Sequence, residues 1–446
     1  MLKQLLSVIS ASVALAGTAL AQDLTIKAPP PDKATWIVNA TIHTISGDII
    51  PRGSVEIRTD GTIGEVLASA PSMPQNFAEL NRVIDANGKH IYPGLISANT
   101  QLGLTEVQAM RASVDIAETG DITPEVRAAV AVNPDSTLLP VTRSNGVLVA
   151  GVMPLGGLVP GRASVMQLEG WTWEDMAVDD DAGMIVNWPG MRLARGWWVT
   201  ETPDKQKERR KNNLDAIDRA FRTAKAYLAA KKADADVPTD LRWEAMRGVF
   251  ERAEPVFIRA EELEQIQSAV SWAIGLGLKP VIVGGRDAPL CAELLKRHDV
   301  GVIVGGTKRF PTRDDSGYDQ PFALPSELER LGVRWCLATG GPNDDTAHER
   351  NFPYHAALAV AHGLDHQRAI EAVTLGPAKM MGVADKLGSI EKGKHATLIV
   401  TDGSPLELTT KIEHAFVRGR EIDLSNKQTE LDKKYREKYR QLGVTR

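Results

Sequence analysis

The chain has 446 residues, of which 43% are apolar and 24% are charged, and its formal net charge is -5. This length is enough for one large domain with a smaller one beside it. The mild acidity, with a pI near 6.0, and the absence of a long basic block in the sequence exclude nucleic acid and an anionic membrane surface as main partners.

The N-terminus has the pattern of a secretory signal peptide. A positively charged Lys3 precedes an uncharged apolar run over residues 5–20, and an Ala-Leu-Ala cleavage motif follows at 19–21. We therefore predict a signal peptide over residues 1–21. The mature protein is expected to be exported, periplasmic or secreted, with no membrane association after cleavage.

Both ends of the mature sequence are rich in short strands joined by tight turns. An Asp-Gly pair at 60–61 and an Asn-Gly pair at 87–88 supply the positive φ angles that hairpin turns need. Similar short strands return late in the chain. We therefore predict that residues 22–92 and 388–425 form one small composite β-sandwich, with the middle of the chain inserted between its halves.

The middle of the chain alternates apolar strands with helical patterns, which indicates βα units and a parallel sheet. Eight candidate strands, the number that closes a barrel, are Leu95–Thr100, Gly146–Met153, Ala163–Leu168, Met184–Asn187, Pro255–Arg259, Pro280–Val283, Gly301–Val304 and Val333–Thr339. The predicted fold class is α/β, a (β/α)8 or TIM-type barrel over residues 93–387. A helix is predicted for residues 426–446, packed on the body of the protein through an apolar stripe of Leu431, Tyr435, Tyr439 and Leu442.

Three of these strands end in Gly-Gly pairs, at 284–285, 305–306 and 340–341. In a barrel, functional groups sit at the carboxyl ends of the strands, and glycine there lets backbone N–H groups approach a ligand closely. The same pairs also suit a tight turn from strand to helix. The sequence leaves both interpretations open.

Several stretches share a family likeness. "IYPGLISANTQLGL" is similar to a first barrel strand that usually reads Pro-Gly-Leu-Ile-Asp-Ala-His-x-His, and residues 373–407 match a family closing segment nearly throughout. "DGTIGEVL" with "VIDANGKHIYPG" is similar to the N-terminal half of the family's β-domain. Residues 161–176 and 253–262 carry further likeness. Together these stretches resemble the amidohydrolase superfamily, specifically its exported imidazolonepropionase-like branch.

The resemblance implies a barrel that binds one or two divalent metals, often zinc, and uses a metal-bound hydroxide to attack a C–N bond. The usual ligands are two histidines on strand one, histidines ending strands five and six, and an aspartate ending strand eight. Here Asn99 and Gln101 occupy the first pair. Arg259 stands at strand five, strand six ends in Arg286, and Gly341 replaces the aspartate. Because amides bind zinc weakly and a guanidinium repels a dication, we predict no metal site and no cofactor.

Histidines elsewhere do not restore this ligand set. His355 and His362 lie two helical turns apart, too far to share one ion directly, and the sequence between His362 and His366 indicates a helix end. With His348, they are interpreted as surface or helix-cap residues. The two cysteines fall in different apolar segments, which favours two buried thiols over a disulfide.

The altered residues favour an anion. Arginine grips a carboxylate or phosphate with two parallel hydrogen bonds, so we predict a small anionic or peptide-like ligand at the barrel mouth. The candidate binding residues are Asn99, Gln101, Arg259, Arg286, Gly285, Gly306, Gly341, Asp344 and Asp345. An equally weighted alternative is that both arginines form internal salt bridges, with Glu261, Glu262 or Asp287.

Two classes of function remain open. The first is an exported hydrolase of C–N bonds with a lost or rearranged metal site, and the second is a non-catalytic relative that binds a small molecule. A homo-oligomer is compatible with either. A third interpretation, a carbohydrate or peptide surface, is weighed against plain packing in loops and core for Trp171, Trp173, Trp197 and Trp198.

Overall fold

The structure is a computed structural model that describes residues 23, 25–72, 74, 76–251, 254–340 and 343–444, with only the backbone of Asn343 and Asp344. The predicted signal peptide, Gly341 and the side chain of Asp344 lie outside the described residues. Within these ranges, no helix combines the length and the apolar character needed to cross a membrane.

The strands follow in chain order. They are β1 (Thr35–His43), β2 (Ile49–Ile57), β3 (Ile63–Leu67), β4 (Arg82–Asp85), β5 (His90–Pro93), β6 (Leu95–Thr100), β7 (Val147–Val152), β8 (Gly161–Gln167), β9 (Ala177–Asn187), β10 (Val256–Ala260), β11 (Pro280–Gly284), β12 (Gly301–Val304), β13 (Trp335–Leu337), β14 (Leu398–Thr401), β15 (Ile412–Val417) and β16 (Arg420–Glu421).

The α-helices lie mostly between the strands of the middle region. They are α1 (Phe77–Leu80), α2 (Leu138–Arg143), α3 (Trp173–Met176), α4 (Pro203–Ala233), α5 (Leu241–Glu244), α6 (Arg247–Phe250), α7 (Leu263–Leu276), α8 (Ala292–Arg297), α9 (Gln320–Leu331), α10 (Asn343–Thr346), α11 (Phe352–Ala361), α12 (His366–Glu371), α13 (Leu375–Met380) and α14 (Lys427–Gln441).

Strands β6 to β13 form one sheet in chain order, and all eight overlap the predicted barrel strands. Apart from β9, of which about half is only partly buried, they are almost entirely buried because apolar residues face both sides, as expected for strands covered by helices. Main-chain bonds bridge the seam between the first and last strands. Ile96 N donates to Val373 O at 2.8 Å, and Leu337 N donates to Ala372 O at 3.0 Å. The predicted barrel-like arrangement is therefore present.

The expectation of an all-parallel (β/α)8 barrel is wrong at β8. This strand runs antiparallel to both β7 and β9, whereas β9 to β13 are mutually parallel. The reason lies in the connections. Residues 153–160, between β7 and β8, are too few for a crossover helix, and a short connection between neighbouring strands returns the chain in the opposite direction.

The two ends of the chain share a second sheet with the order β16-β15-β14-β5-β1-β2-β3, in which β4 also pairs with β1. Strand β14, from the C-terminal part, pairs antiparallel with β5, from the N-terminal part. Among the described residues these strands are connected in one hydrogen-bonded sheet rather than two separate ones. Its own small core includes Ile37, Ile57, Leu398 and Phe416, all fully buried. The exact limits of the two units stay a prediction.

A buried charge network lies at the end of the barrel opposite the carboxyl ends of its parallel strands. Arg143 Nη1 contacts Glu169 Oε2 at 2.5 Å and Arg143 Nη2 contacts Asp23 Oδ2 at 3.5 Å, while Lys27 Nζ contacts Asp23 Oδ2 at 2.9 Å. The side chains are at most 3% exposed. The network thus fastens the start of the described chain to the barrel.

The C-terminal helix α14 does not pack on the body of the protein, so that prediction is wrong. It has no buried residue, and Leu431, Tyr435, Tyr439 and Leu442 are 41–62% exposed. Ion pairs within the helix, such as Arg436 with Asp432, stabilise it locally. Amphipathic spacing predicted a helix but did not indicate a surface for it to cover.

Candidate functional site

A cavity of about 320 Å³ opens at the mouth of the barrel. Its wall includes Asn99 from the end of β6, Asn187 from the end of β9 and Arg259 from β10. Because these three strands point in the same direction, their carboxyl ends meet at one rim, where ligand sites of barrels are built. We call this space the first cavity.

Arg259 supplies a charge that is not paired with any carboxylate among the described side chains. Its Nη1 donates to the Pro154 carbonyl and to Asn187 Oδ1, both at 2.9 Å. Its Nη2 is buried without a hydrogen-bond partner, and no ion pair involves it among the described residues. Burial lowers the pKa of Arg259 to about 10. Of the two open interpretations, an internal salt bridge is wrong for this arginine.

Asn99, which also lines the first cavity, carries a second unpaired group. The residue is 1% exposed, and its Nδ2 donates to the Gly340 carbonyl at a long 3.4 Å. Its Oδ1 has no partner. An amide end left unpaired inside a protein is costly, by about 1–3 kcal/mol. Asn99 and Arg259 therefore leave one acceptor and one donor group without hydrogen-bond partners in the wall of the first cavity.

Gln101 does not line this cavity, although the two-residue spacing from Asn99 predicts that both point the same way. Strand β6 ends at Thr100, so the alternation of side chains stops before Gln101. Its Nε2 donates to the Met153 carbonyl at 3.2 Å, and its Oε1 accepts from Thr346 at 3.3 Å. The side chain is fully buried and holds neighbouring loops together.

Arg286 follows the salt-bridge interpretation instead. Its guanidinium lies 3.8 Å from Glu262 and 3.7 Å from Asp287. It faces a second cavity of about 280 Å³, to which Gly306 also contributes. The carboxylate partners neutralise this cation, so Arg286 and Arg259 differ although the sequence treats them alike.

An ion pair stands between the two cavities. Arg309 Nη1 contacts Glu261 Oε1 at 3.3 Å, and both residues, with Gly284, belong to the walls of both cavities. Arg309 Nη2 also lies 4.0 Å from Asp345. Asp345 thus stands at the rim as an ion-pair partner rather than as a wall of either cavity.

The Gly-Gly pairs are explained by turn geometry. The N–H groups of Gly285, Gly305 and Gly306 already donate to the carbonyls of Ala260, Gly284 and Val304, so they are not directed at a ligand. At Gly340, where φ is +150°, a Cβ would collide with the ends of Arg309 and Asp345. Glycine is needed there because this φ strains any residue with a Cβ, whereas the ends of the Arg309 and Asp345 side chains can shift.

A buried carboxyl group lies behind the first cavity. Glu349 is 1% exposed and accepts two contacts from Thr339 Oγ1, at 2.9 and 3.1 Å. Burial raises the pKa of Glu349 to about 7, against the opposing hydrogen bonds from hydroxyl groups. Thr339 immediately precedes Gly340, so this carboxyl supports the strand end that Asn99 contacts.

The late histidines have structural contacts. His355 Nδ1 accepts from Thr307 N at 2.9 Å and so holds the loop that carries Arg309. Burial, with nearby Lys308 and Arg309, lowers the pKa of His355 to about 3. His362 is the C-cap of α11, and His366 begins α12 and contacts Ser404.

The remaining sequence candidates fall outside the cavities. Trp171, Trp197 and Trp198 are 60%, 94% and 66% exposed, so these three side chains are not packed in the core as favoured from the sequence, whereas Trp173 packs against the core in part. Both cysteines are free thiols and buried, as predicted.

The donor set at the mouth does not fit a divalent metal. Gln101 is committed to internal hydrogen bonds, and an uncompensated guanidinium lies beside Asn99. Among the residues that the structure describes, no group of three or more His, Cys, Asp or Glu side chains is arranged to hold an ion. A cation bound beside Arg259 would be repelled.

Two wall residues escaped the sequence analysis. Asn187 was read as the end of a strand but not as a site residue, although a polar residue at that position is the relevant signal. Arg309 lies three residues after a Gly-Gly pair, in a loop whose course the sequence does not specify. Glu349 gave no signal, because a single glutamate in a loop is usually exposed.

Comparisons with known proteins agree with this fold. The model of the amidohydrolase family matches residues 287–423. The chain is 24% identical over 419 residues to amidohydrolase tasK of Hapsidospora irregularis, which covers 84% of this chain but only 42% of that protein. It is 24% identical over 381 residues to an imidazolonepropionase of Symbiobacterium thermophilum, covering 79% and 84% of the two chains.

Among solved structures, the fold is similar to an amidohydrolase from Thermotoga maritima MSB8, with a TM-score of 0.76, 24% identity, and coverage of 87% of this chain and 99% of that one. Molinate hydrolase gives a TM-score of 0.54 at 17% identity, covering 90% and 96%. The matched family region, the sequence relatives and the similar fold together support the amidohydrolase superfamily as the family of this chain.

Proposed function

We propose that this protein is an amidohydrolase-type barrel that has lost the metal site and binds a small carboxylate ligand at its mouth. The observation that carries the proposal is the unpaired guanidinium of Arg259. A buried cation without a counter-charge is unfavourable in the unliganded protein, and an anion placed against it supplies the missing charge.

The side-chain amide of Asn99 restricts the chemical class of the ligand. Among the described residues, Arg259 Nη2 donates to no acceptor and Asn99 Oδ1 accepts from no donor. A carboxylate that carries an adjacent O–H or N–H group would satisfy both, since the anion takes the guanidinium donors and the second group donates to the amide. Hydroxy acids and peptide-like acids have this combination.

The superfamily's usual chemistry, hydrolysis of C–N bonds, is the competing proposal. It requires a rearranged metal site, because the residues at the usual ligand positions include an arginine and a committed glutamine. Metal analysis of protein purified without chelators separates the two. About one tightly held zinc per chain, with turnover of an N-acyl compound, would favour the hydrolase.

Calorimetric titration with lactate tests the binding proposal directly. Replacing Arg259 with methionine should weaken lactate binding at least tenfold, because the charge-assisted contact is removed. Arg286→Met is the matched control and should change the affinity less than threefold, since Glu262 and Asp287 already neutralise that cation. Equal affinities in wild type and Arg259→Met would refute the proposal.

We also propose that the protein acts after export. The support is the sequence pattern of residues 1–21 alone. N-terminal sequencing of protein recovered from the periplasm or medium should begin at Gln22, and an uncleaved cytoplasmic chain would contradict this.

A further inference from the structure

The second cavity differs in character from the first. Its wall contains the buried side chains of Val304, Pro321 and Leu324. Two exposed loop residues, Phe310 and Thr312, lie at its edge. Its volume of about 280 Å³ exceeds the roughly 150 Å³ that suffices to take up benzene in an apolar cavity. It is therefore large enough for an aromatic ring.

The charges on this wall are already paired. Arg286 lies within 3.8 Å of Glu262 and Asp287, and Arg309 lies 3.3 Å from Glu261. A charged ligand group would have to compete with these ion pairs, whereas an apolar group would cover Val304 and Leu324 without disturbing them. The second cavity thus favours apolar occupants, in contrast to the unpaired cation of the first.

The two cavities are neighbours and share one wall. Glu261, Gly284 and Arg309 line both spaces. Gly284 has no side chain, and a Cβ there would lie within 3 Å of the Glu261 carboxylate. The partition therefore consists of one ion pair whose glutamate lies against the backbone of Gly284, so a ligand reaches from one cavity to the other only by displacing that ion pair.

We propose that the second cavity is an apolar subsite for the same ligand, so that the protein selects a carboxylate joined by a short linker to an aromatic or branched aliphatic group. This inference rests on the proposed function of the first cavity, because the anionic end of the ligand is held there by Arg259. The apolar end passes the ion pair of Glu261 and Arg309 and packs on Val304 and Leu324.

Lactate and 3-phenyllactate form the test pair, since they share the carboxylate and hydroxyl groups and differ by a phenyl ring. In calorimetric titration of the full mature chain, 3-phenyllactate should bind at least tenfold more tightly than lactate, because the ring leaves water for an apolar wall. Equal affinities in the wild type would overturn the inference while leaving the first cavity's role intact.

A variant whose side chain fills the second cavity provides a second test. Thr312 is an exposed loop residue at the edge of the second cavity, so Thr312→Trp should fold normally and occupy the space. It should weaken 3-phenyllactate binding at least tenfold and change lactate binding less than twofold. Thr59→Trp, at an exposed hairpin turn of the other sheet, is the control and should change neither.

The outcomes distinguish the two proposals. If Thr312→Trp leaves 3-phenyllactate binding unchanged, the apolar subsite is refuted. If Arg259→Met leaves the binding of both acids unchanged while Thr312→Trp abolishes the phenyl advantage, the subsite holds and the role of Arg259 is refuted. If neither acid binds the wild-type protein, both proposals are overturned.

Discussion

Replacing Arg259 with methionine should leave the unliganded protein as stable as wild type, or more stable. The pKa of about 10 shows that burial disfavours the charged guanidinium. Since a tenfold change in an ionisation constant equals about 1.4 kcal/mol, holding this charge costs about 3 kcal/mol. Methionine removes that cost and fills a similar volume along the stem.

The substitution also removes two hydrogen bonds, from Nη1 to Pro154 O and to Asn187 Oδ1. Each contributes about 1 kcal/mol to stability. The expected net effect is a gain of about 0–2 kcal/mol in the free energy of unfolding, by subtraction of these terms. Loss of binding with retained stability is the signature of a residue kept for its ligand.

Urea and thermal unfolding in a buffer without carboxylates or phosphate measure this effect. Arg162→Met is a useful comparison. Arg162 forms an ion pair with Asp181, so its replacement should lower the stability of the protein. A loss of more than about 2 kcal/mol in Arg259→Met would refute the reasoning, since a loss above the two hydrogen-bond terms would mean that the guanidinium is compensated in the fold.

Other substitutions test the structure elsewhere. Arg143→Met should destabilise by about 3–5 kcal/mol in urea unfolding, because it leaves the buried carboxylate of Glu169 without its ion-pair partner; a change below about 1 kcal/mol, the size expected of a surface pair, would contradict the buried network. His355→Asn should flatten the pH dependence of stability between pH 6.5 and 4. Because the pKa of His355 is lowered in the folded state, the unfolded chain binds the proton more tightly, and the wild-type protein loses about 1.4 kcal/mol of stability per pH unit as the pH falls. Equal pH slopes in variant and wild type would refute this. Gly340→Ala should destabilise by about 1–3 kcal/mol because its φ of +150° strains any residue with a Cβ, and the loss should persist when Arg309 is also replaced by alanine. Deleting residues 430–446 should change thermal stability by less than about 0.5 kcal/mol, because that helix is exposed along its described length.

Sequence patterns predicted the positions of the strands well because a buried strand is visible as a short run of apolar residues in the local sequence. Each of the eight barrel strands is a short apolar run, and such runs survive whatever their direction. The direction of β8 was missed because it depends on the length of the connection at 153–160, which the strand pattern does not describe. The tail helix lies where the sequence predicts it, but its exposure could not be predicted, since an apolar stripe does not say whether a partner surface exists.

Residue identity at strand ends predicted part of the site. Asn99 and Arg259 lie where the strand pattern places them, and both line the first cavity. Arg286 is, like Arg259, an arginine near the end of a predicted strand, but it forms ion pairs with two carboxylates. Only the neighbours in the folded structure distinguish this paired cation from the unpaired one. Gln101 lies one residue past its strand, and that single step was enough to turn it away from the cavity.

The reversal of β8 has a consequence for how this pocket can be re-engineered. The hairpin at 153–160 sits on the ligand side and carries the Pro154 carbonyl and Leu155, whereas the link at 168–176 emerges at the far side near Glu169. Swapping the hairpin between homologous chains would reshape specificity. Grafting a new module into the far link would leave recognition untouched, which makes that link the natural point for attaching a reporter.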